Sequence, residues 1–352
     1  MTANRRTFLG TALAAGALSA LPGTAAAAAG PTGPVPSTGT HVITLGTQAG
    51  PTIRGPRNGI ATALVVDGSL YLFDCGLGLT RQMNSAGVDV SGLRAVFLTH
   101  LHSDHVIEVP SLLLYNWGPP VKGFTKPFEI LGPGSAHTVP HSDAAPVGSP
   151  PTPGTRQMVD RIIDAYAYDI NIRVADEGRT PLTELVTATD IALPPGTPAR
   201  ANGTRTPDME PFEVYRDEKI RVLATLAHHP PVFPSLAFRV ETPHGAVVLS
   251  GDTTEHDNVV RLARGARLLL HECVNLDYFR AGGFDAAFIK HQEESHTPPE
   301  GVGRVAAAAG VDQLLLTHLA GVATDEQWTT PVRTRYDGPV AVADDLLRTT
   351  LG

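Results

Sequence analysis

Residues 98–105 read LTHLHSDH, placing three histidines and an aspartate within six positions of a chain that has 14 histidines among 352 residues. Imidazole nitrogens mixed with carboxylate oxygens suit zinc and similar divalent ions. His100 and His102 are one residue apart. On an extended stretch that alternation points both rings to one side, toward one ion. Asp104 and His105 follow where the chain is expected to turn into a helix, facing a second position nearby. A catalytic ion takes about three protein ligands and a water. The cluster can supply more than that, so two divalent ions, zinc first among them, are the economical expectation. Hydrolysis by a metal-activated water is the chemistry such a centre performs.

These side chains need a frame that brings distant segments to one place. After the segment PTGPVPSTGT at 31–40, short apolar runs begin, and six of them end in metal-capable residues. LYLFD ends at Asp74, AVFLTH at His100, and VLATLAHH at His228 and His229. AVVLSGD ends at Asp252, RLLLHE at His271 and Glu272, and QLLLTH at His318. Strand tips along one edge of a sheet core can gather ligands from remote sequence. ATALVVDGSLYLFDCG predicts a hairpin turning at Asp67 and Gly68. SLLLYNWG is expected to continue a helix begun after His105, and VGRVAAAAG to form a short helix stopped by its last glycine. Residues 132–155 and 193–211 are rich in Pro and Gly, and between them 158, 159, 162, 163 and 166 are apolar at helical spacing. The region of about 132–211 is therefore expected to be an insertion, a helical arm packed on the core. His41, His137, His141, His244 and His256 fall outside these patterns and are expected to be solvent-exposed. Cys75 and Cys273 are too few for a disulfide scaffold or a thiolate cluster and are expected to be buried free thiols, with one disulfide between them as the alternative.

THLHSDH resembles the T-H-x-H-x-D-H signature of the metallo-β-lactamase superfamily at every fixed position. The resemblance covers nearly all of residues 41–350 and implies an α/β fold: a four-layer αββα sandwich, its dinuclear site at one edge. It further implies that His100, His102 and one downstream histidine hold a first metal, and Asp104, His105 and His318 a second. Asp252, in LSGDT, matches the bridging aspartate, and Asp74, in LFDCG, a structural aspartate that orients the site. The downstream histidine is His228 or His229, and the PPVFPSLAFR run that follows favours His229. VIEVPSLLLYNWG, LLLHECV and SHTPPEGVGRVA are similar to the ribonuclease Z and arylsulfatase branch. That branch carries a histidine, backed by a glutamate, that protonates the leaving group; here the residues are His296 and Glu272. Asp104 would orient the attacking water or shuttle its proton.

Residues 1–30 resemble a twin-arginine signal peptide. Arg5 and Arg6 precede Phe8, Leu9 and an apolar run that is too short for a confident membrane span, and small residues follow. The expected address is the periplasm or the extracellular medium, reached through the twin-arginine machinery, with no stable membrane span in the mature chain. The formal net charge is −8, and residues 156–190 carry four basic against seven acidic side chains. An acidic arm is a poor holder of tRNA. From charge and address, the expected substrate is a small sulfate or other aryl ester, with no nucleic acid. A phosphodiesterase of the ribonuclease Z type, or a lactonase, is the alternative, and a non-catalytic metal-binding protein a weaker one.

Overall fold

The structure, a computed structural model, describes residues 33–139 and 146–352. The twin-arginine segment at 1–30 and His141 lie outside the described residues. The first strands are β-branched and apolar: β1 (Thr40–Gly46), β2 (Ala61–Val66) and β3 (Ser69–Phe73) have every residue buried. Strands covered on both faces read as continuous apolar runs, and that burial follows from what covers them. The turn between β2 and β3 falls at Asp67 and Gly68, both with positive φ (45° and 79°), as a tight hairpin requires. After α1 (Leu79–Ser85) come β4 (Leu93–Phe97), α2 (Ser103–Val106), α3 (Val109–Tyr115) and β5 (Phe128–Pro133). Then follow α4 (Thr155–Ala165), α5 (Ala167–Glu177), α6 (Leu182–Leu185) and β6 (Val186–Ile191).

The second half opens with β7 (Phe212–Arg216), β8 (Arg221–Leu226), β9 (Leu236–Thr242) and β10 (Gly245–Leu249). It continues through α7 (Asp257–Ala263), β11 (Leu268–Val274), α8 (Leu276–Ala281), α9 (Ala286–Ser295) and α10 (Pro299–Ala309). β12 (Leu314–Ala320), α11 (Asp325–Arg333), β13 (Val340–Val342) and β14 (Leu347–Leu351) complete it. Two seven-stranded sheets result, in the orders β14-β1-β2-β3-β4-β5-β6 and β13-β12-β11-β10-β9-β8-β7.

Strand alternation explains the layers. On β3, Leu70 and Leu72 face outward to α1, α3 and α4, whereas Tyr71 and Phe73 face inward. The inner layer stacks Phe73 on Phe97 (centroids 5.0 Å apart) and both rings on Phe238 of the opposite sheet. The outer face of the second sheet packs on α7, α10 and α11. The α/β architecture is thus a four-layer αββα sandwich. Strands β3, β4, β8, β10, β11 and β12 all deliver their polar residues to one end of it.

Several local expectations differ from what is seen. The helix after His105 is broken in two, because the Glu108 backbone N–H donates to Cys75 O instead of continuing the turn. Residues 132–211 are not wholly helix and loop, since Val186–Ile191 pair in parallel with β5 as the edge strand of the first sheet. Within that region Met158, Val159, Ile162 and Ile163 do pack on the core. His41 is buried, not exposed, at 4% accessibility, with its ring held by Thr350 Oγ1 and Thr38 O. His244 and His256 are half-buried, and His137 is exposed. Cys75 and Cys273 are free and buried. Among the described residues no helix is long and apolar enough to cross a membrane.

Candidate metal centre and active site

Asp74 sits just past β3 with φ of 58°, and His318 lies on β12 with φ of 43°. Left-handed backbone at non-glycine residues is costly and persists where packing enforces it, often at functional sites. Asp74 repays the distortion in hydrogen bonds. Its Oδ1 accepts from the Thr99 backbone N–H (2.8 Å), and its Oδ2 accepts from Thr99 Oγ1 (2.9 Å) and His105 Nδ1 (2.8 Å). With Nδ1 of His105 committed as a donor, Nε2 presents its lone pair to the site. His229 is prepared in the same way: its Nδ1 donates to Ser295 O at 2.9 Å.

The ring nitrogens then face one another without enough protons between them. His229 Nε2 lies 3.4 Å from His102 Nδ1, and His105 Nε2 lies 3.2 Å from His318 Nε2. His100 Nε2 and Asp252 Oδ1 are buried with no hydrogen-bond partner. Asp252 divides its oxygens between the two groups. Oδ2 is 3.8 Å from both His100 Nε2 and His229 Nε2, while Oδ1 is 3.4 Å from His105 Nε2 and 3.3 Å from His318 Nε2. Asp104 Oδ2 lies 3.5 Å from His318 Nε2 and accepts the Gly50 N–H at 2.8 Å. Sets with ligand atoms within 4.8 Å of one another include His100, His102 and His229; His100, His105 and Asp252; and Asp104, His105 and His318. Lone pairs converging on buried, unpaired acceptors are the donor set a divalent cation requires, so the residues fit the metal implied by the sequence.

Burial pushes the His100 and His229 rings toward the neutral, ligating form. Burial works against the charge of Asp104 and Asp252, yet neighbouring histidines hold both carboxyls well below the usual carboxylate range. His228, the rejected neighbour, turns away: its Nδ1 meets Thr206 Oγ1 at 3.1 Å and its ring stacks on His256.

His296 is the C-cap of α9, its ring stacked on His318 (5.8 Å) and tilted against His229 (5.0 Å). Its Nδ1 donates to Glu272 Oε1 at 3.0 Å, and the same oxygen accepts the Thr253 N–H at 2.9 Å. Burial opposes charge on this imidazole, but the Glu272 carboxylate outweighs it and raises the pKa to about 9. The ring lies against the candidate metal cluster. His271, on the same strand, faces elsewhere: burial lowers it to about 4, and its Nδ1 donates to Glu272 O. Sequence reasoning passed over His291 on α9, half-buried with its ring centroid 6.1 Å from His229 and 6.0 Å from His296. It belongs to no motif, and only the position of α9 brings it here.

The sequence pattern described as Metallo-beta-lactamase superfamily matches residues 54–283. Ribonuclease Z of Mycobacterium bovis (strain BCG / Pasteur 1173P2) is 30% identical over 319 residues, spanning 87% of this chain and 96% of that protein. Ribonuclease Z of Mycobacterium marinum is 28% identical over 311 residues, spanning 87% and 97%. Among solved structures, human tRNase Z, short form, superposes with a TM-score of 0.58 at 23% identity, covering 89% of this chain and 99% of that one. The metallo-beta-lactamase fold protein YhfI from Bacillus subtilis gives 0.58 at 19% identity, covering 88% and 99%. These relatives overturn the expected sulfate or aryl ester substrate and the expected absence of nucleic acid, since proteins similar over nearly the whole chain are ribonucleases. The charge count misled for a physical reason: it covers side chains alone and omits any divalent cation that the cluster would hold. The chain is a metal-dependent hydrolase of ester bonds and belongs to the metallo-beta-lactamase superfamily.

Proposed function

We propose that the protein hydrolyses phosphodiester bonds of RNA, as a ribonuclease of the Z type. The His296–Glu272 pair carries this reading. A phosphodiester of RNA expels an alkoxide, a poor leaving group that gains from a positioned acid, and general-acid catalysis is worth roughly 10²- to 10⁴-fold. His296 presents Nε2 toward the cluster while Glu272 Oε1 holds Nδ1–H, so the proton leaves from the edge that faces the reacting bond. The ribonuclease Z relatives, at 28–30% identity over 87% of the chain, support the same substrate class.

Two ion positions fit the donor set: His100, His102, His229 and Asp252 would hold one ion, and Asp104, His105, His318 and Asp252 the other. Divalent ions bound there supply Lewis-acid polarisation of the phosphoryl oxygens and a water acidic enough to attack near neutral pH. Asp104, anchored through Oδ2 by the Gly50 N–H, accepts a hydrogen bond from the attacking water and orients it. Asp74 and Ser295 O fix the tautomers of His105 and His229, so neither ring has to reorganise when charge develops.

The test is to incubate zinc-reconstituted protein with a 3′-extended structured RNA and, separately, with bis(p-nitrophenyl) phosphate. Cleavage of both, abolished by chelator, is expected. A fully metal-loaded protein that cleaves neither would overturn the reading. We also propose that residues 1–30 direct export by the twin-arginine route. A reporter fused behind them should be exported in a competent host and retained when Arg5 and Arg6 become lysine.

A further inference from the structure

We infer that His291 is a specificity residue that recognises the ribose 2′-hydroxyl beside the leaving 3′-oxygen, so that the enzyme favours RNA over DNA at that nucleotide. This rests on the phosphodiesterase reading above. The inference begins with a proton count. Ser295 Oγ donates its one hydrogen to Pro230 O, a carbonyl that can only accept. The contact of 3.1 Å between Ser295 Oγ and His291 Nδ1 must then run the other way, with Nδ1–H donating. In the neutral ring the opposite nitrogen, Nε2, consequently carries a lone pair. It has no hydrogen-bond partner among the described residues, and the ring is half-buried.

The position of the acceptor gives it a purpose. His291 belongs to none of the side-chain sets whose ligand atoms lie within 4.8 Å of one another, so it is not needed to hold metal. Its ring sits 6.0 Å from that of His296, the donor to the leaving oxygen, and 6.1 Å from that of His229. In RNA whose 3′-oxygen leaves, the neighbouring carbon bears the 2′-hydroxyl, close enough to the 3′-oxygen for both to meet adjacent groups of one site. A proton at His296 serves the leaving oxygen, and the lone pair on His291 receives the hydroxyl hydrogen. Deoxyribose offers nothing to that lone pair, and the 2′-hydroxyl is the feature by which a protein separates RNA from DNA.

The experiment uses two RNA oligonucleotides that differ in one atom, 2′-OH or 2′-H, at the nucleotide supplying the leaving 3′-oxygen. kcat/KM is measured for each with the zinc-loaded wild type, His291→Phe and His291→Gln, and metal content is determined in parallel. The wild type should favour the 2′-OH substrate by about tenfold, the worth of one hydrogen bond. His291→Phe should bring the ratio to about one with metal content retained, and His291→Gln, which keeps an acceptor oxygen, should restore part of the preference. A wild-type ratio near one, or an equal preference in wild type and His291→Phe, would overturn the inference and leave the phosphodiesterase reading standing. Cleavage of neither oligonucleotide by loaded wild type would remove both.

Discussion

Asp252 places one oxygen before each half of the histidine cluster, so its removal uncouples both positions at once. Asp252→Ala should lose most of its bound zinc and its activity. His228→Ala should retain both, since that ring is bound to Thr206 and stacked on His256. Elemental analysis of the two variants after identical reconstitution decides it; equal zinc content would contradict the assignment. His296→Ala should hold metal near the wild-type level while kcat falls roughly 10²- to 10⁴-fold on RNA. The loss should shrink as the leaving-group pKa falls across a series of aryl phosphodiesters, and a constant loss would remove the proton-donor role. At this scale the sequence is most legible where candidate ligands are neighbours in it. His100, His102, Asp104 and His105 declare themselves by density, whereas His291 acquires its chemistry from Ser295 and Pro230, and the latter lies 65 residues from Ser295. His41 was misjudged for a similar reason: its partner Thr350 comes from the pairing of β1 with β14, which no local pattern announces.

Elements deliver these side chains through a few demanding turns. Gly251, between β10 and Asp252, has φ of 58°, and a Cβ there would meet Leu236 O at 2.6 Å and Thr99 Cβ at 3.1 Å. Gly251→Ala should therefore lower stability by about 1–3 kcal/mol through backbone strain and a displaced neighbour. Its zinc affinity should fall as well, because the residue that moves is the one before Asp252. Denaturation in urea, together with competitive zinc titration, reads both effects, and a variant with wild-type values in each would show the turn to be tolerant. Continuous apolar, β-branched runs made β1, β2 and β3 readable. β6 was not readable, because VTATDI is only partly apolar and becomes a strand by pairing with β5 at the sheet edge. The broken helix after His105 depends on the Glu108–Cys75 backbone contact, which joins the start of α3 to the residues just past β3.

Across the whole molecule, the layers are tied where Asp217 in the β7–β8 turn accepts from Tyr71 Oη of the other sheet (2.6 Å) and from Tyr215 Oη (3.1 Å). Burial opposes its charge, but those hydroxyls and the backbone N–H groups of Ile220 and Lys219 hold its carboxyl below the usual range. A depressed carboxyl stabilises the fold above its unfolded pKa, about 3.9, and the contribution disappears as pH falls through the folded value. Asp217→Asn should therefore cost about 1–3 kcal/mol at pH 7, and the gap to wild type should close below about pH 4. Urea midpoints across that range measure it, and a pH-independent gap would contradict the ionised tie.

The four-layer frame was legible from the order of strands and motifs, but the substrate was not. Net charge belongs to the whole chain, whereas a substrate meets the groups gathered at one strand edge. The most direct measurement is a zinc titration of chelator-stripped protein, following cleavage of a 3′-extended RNA. Activity should rise with added zinc and level off near two equivalents per chain, as a bridged pair of ions requires. Full zinc loading without cleavage, or cleavage that persists in the stripped protein, would contradict a metal-dependent ribonuclease.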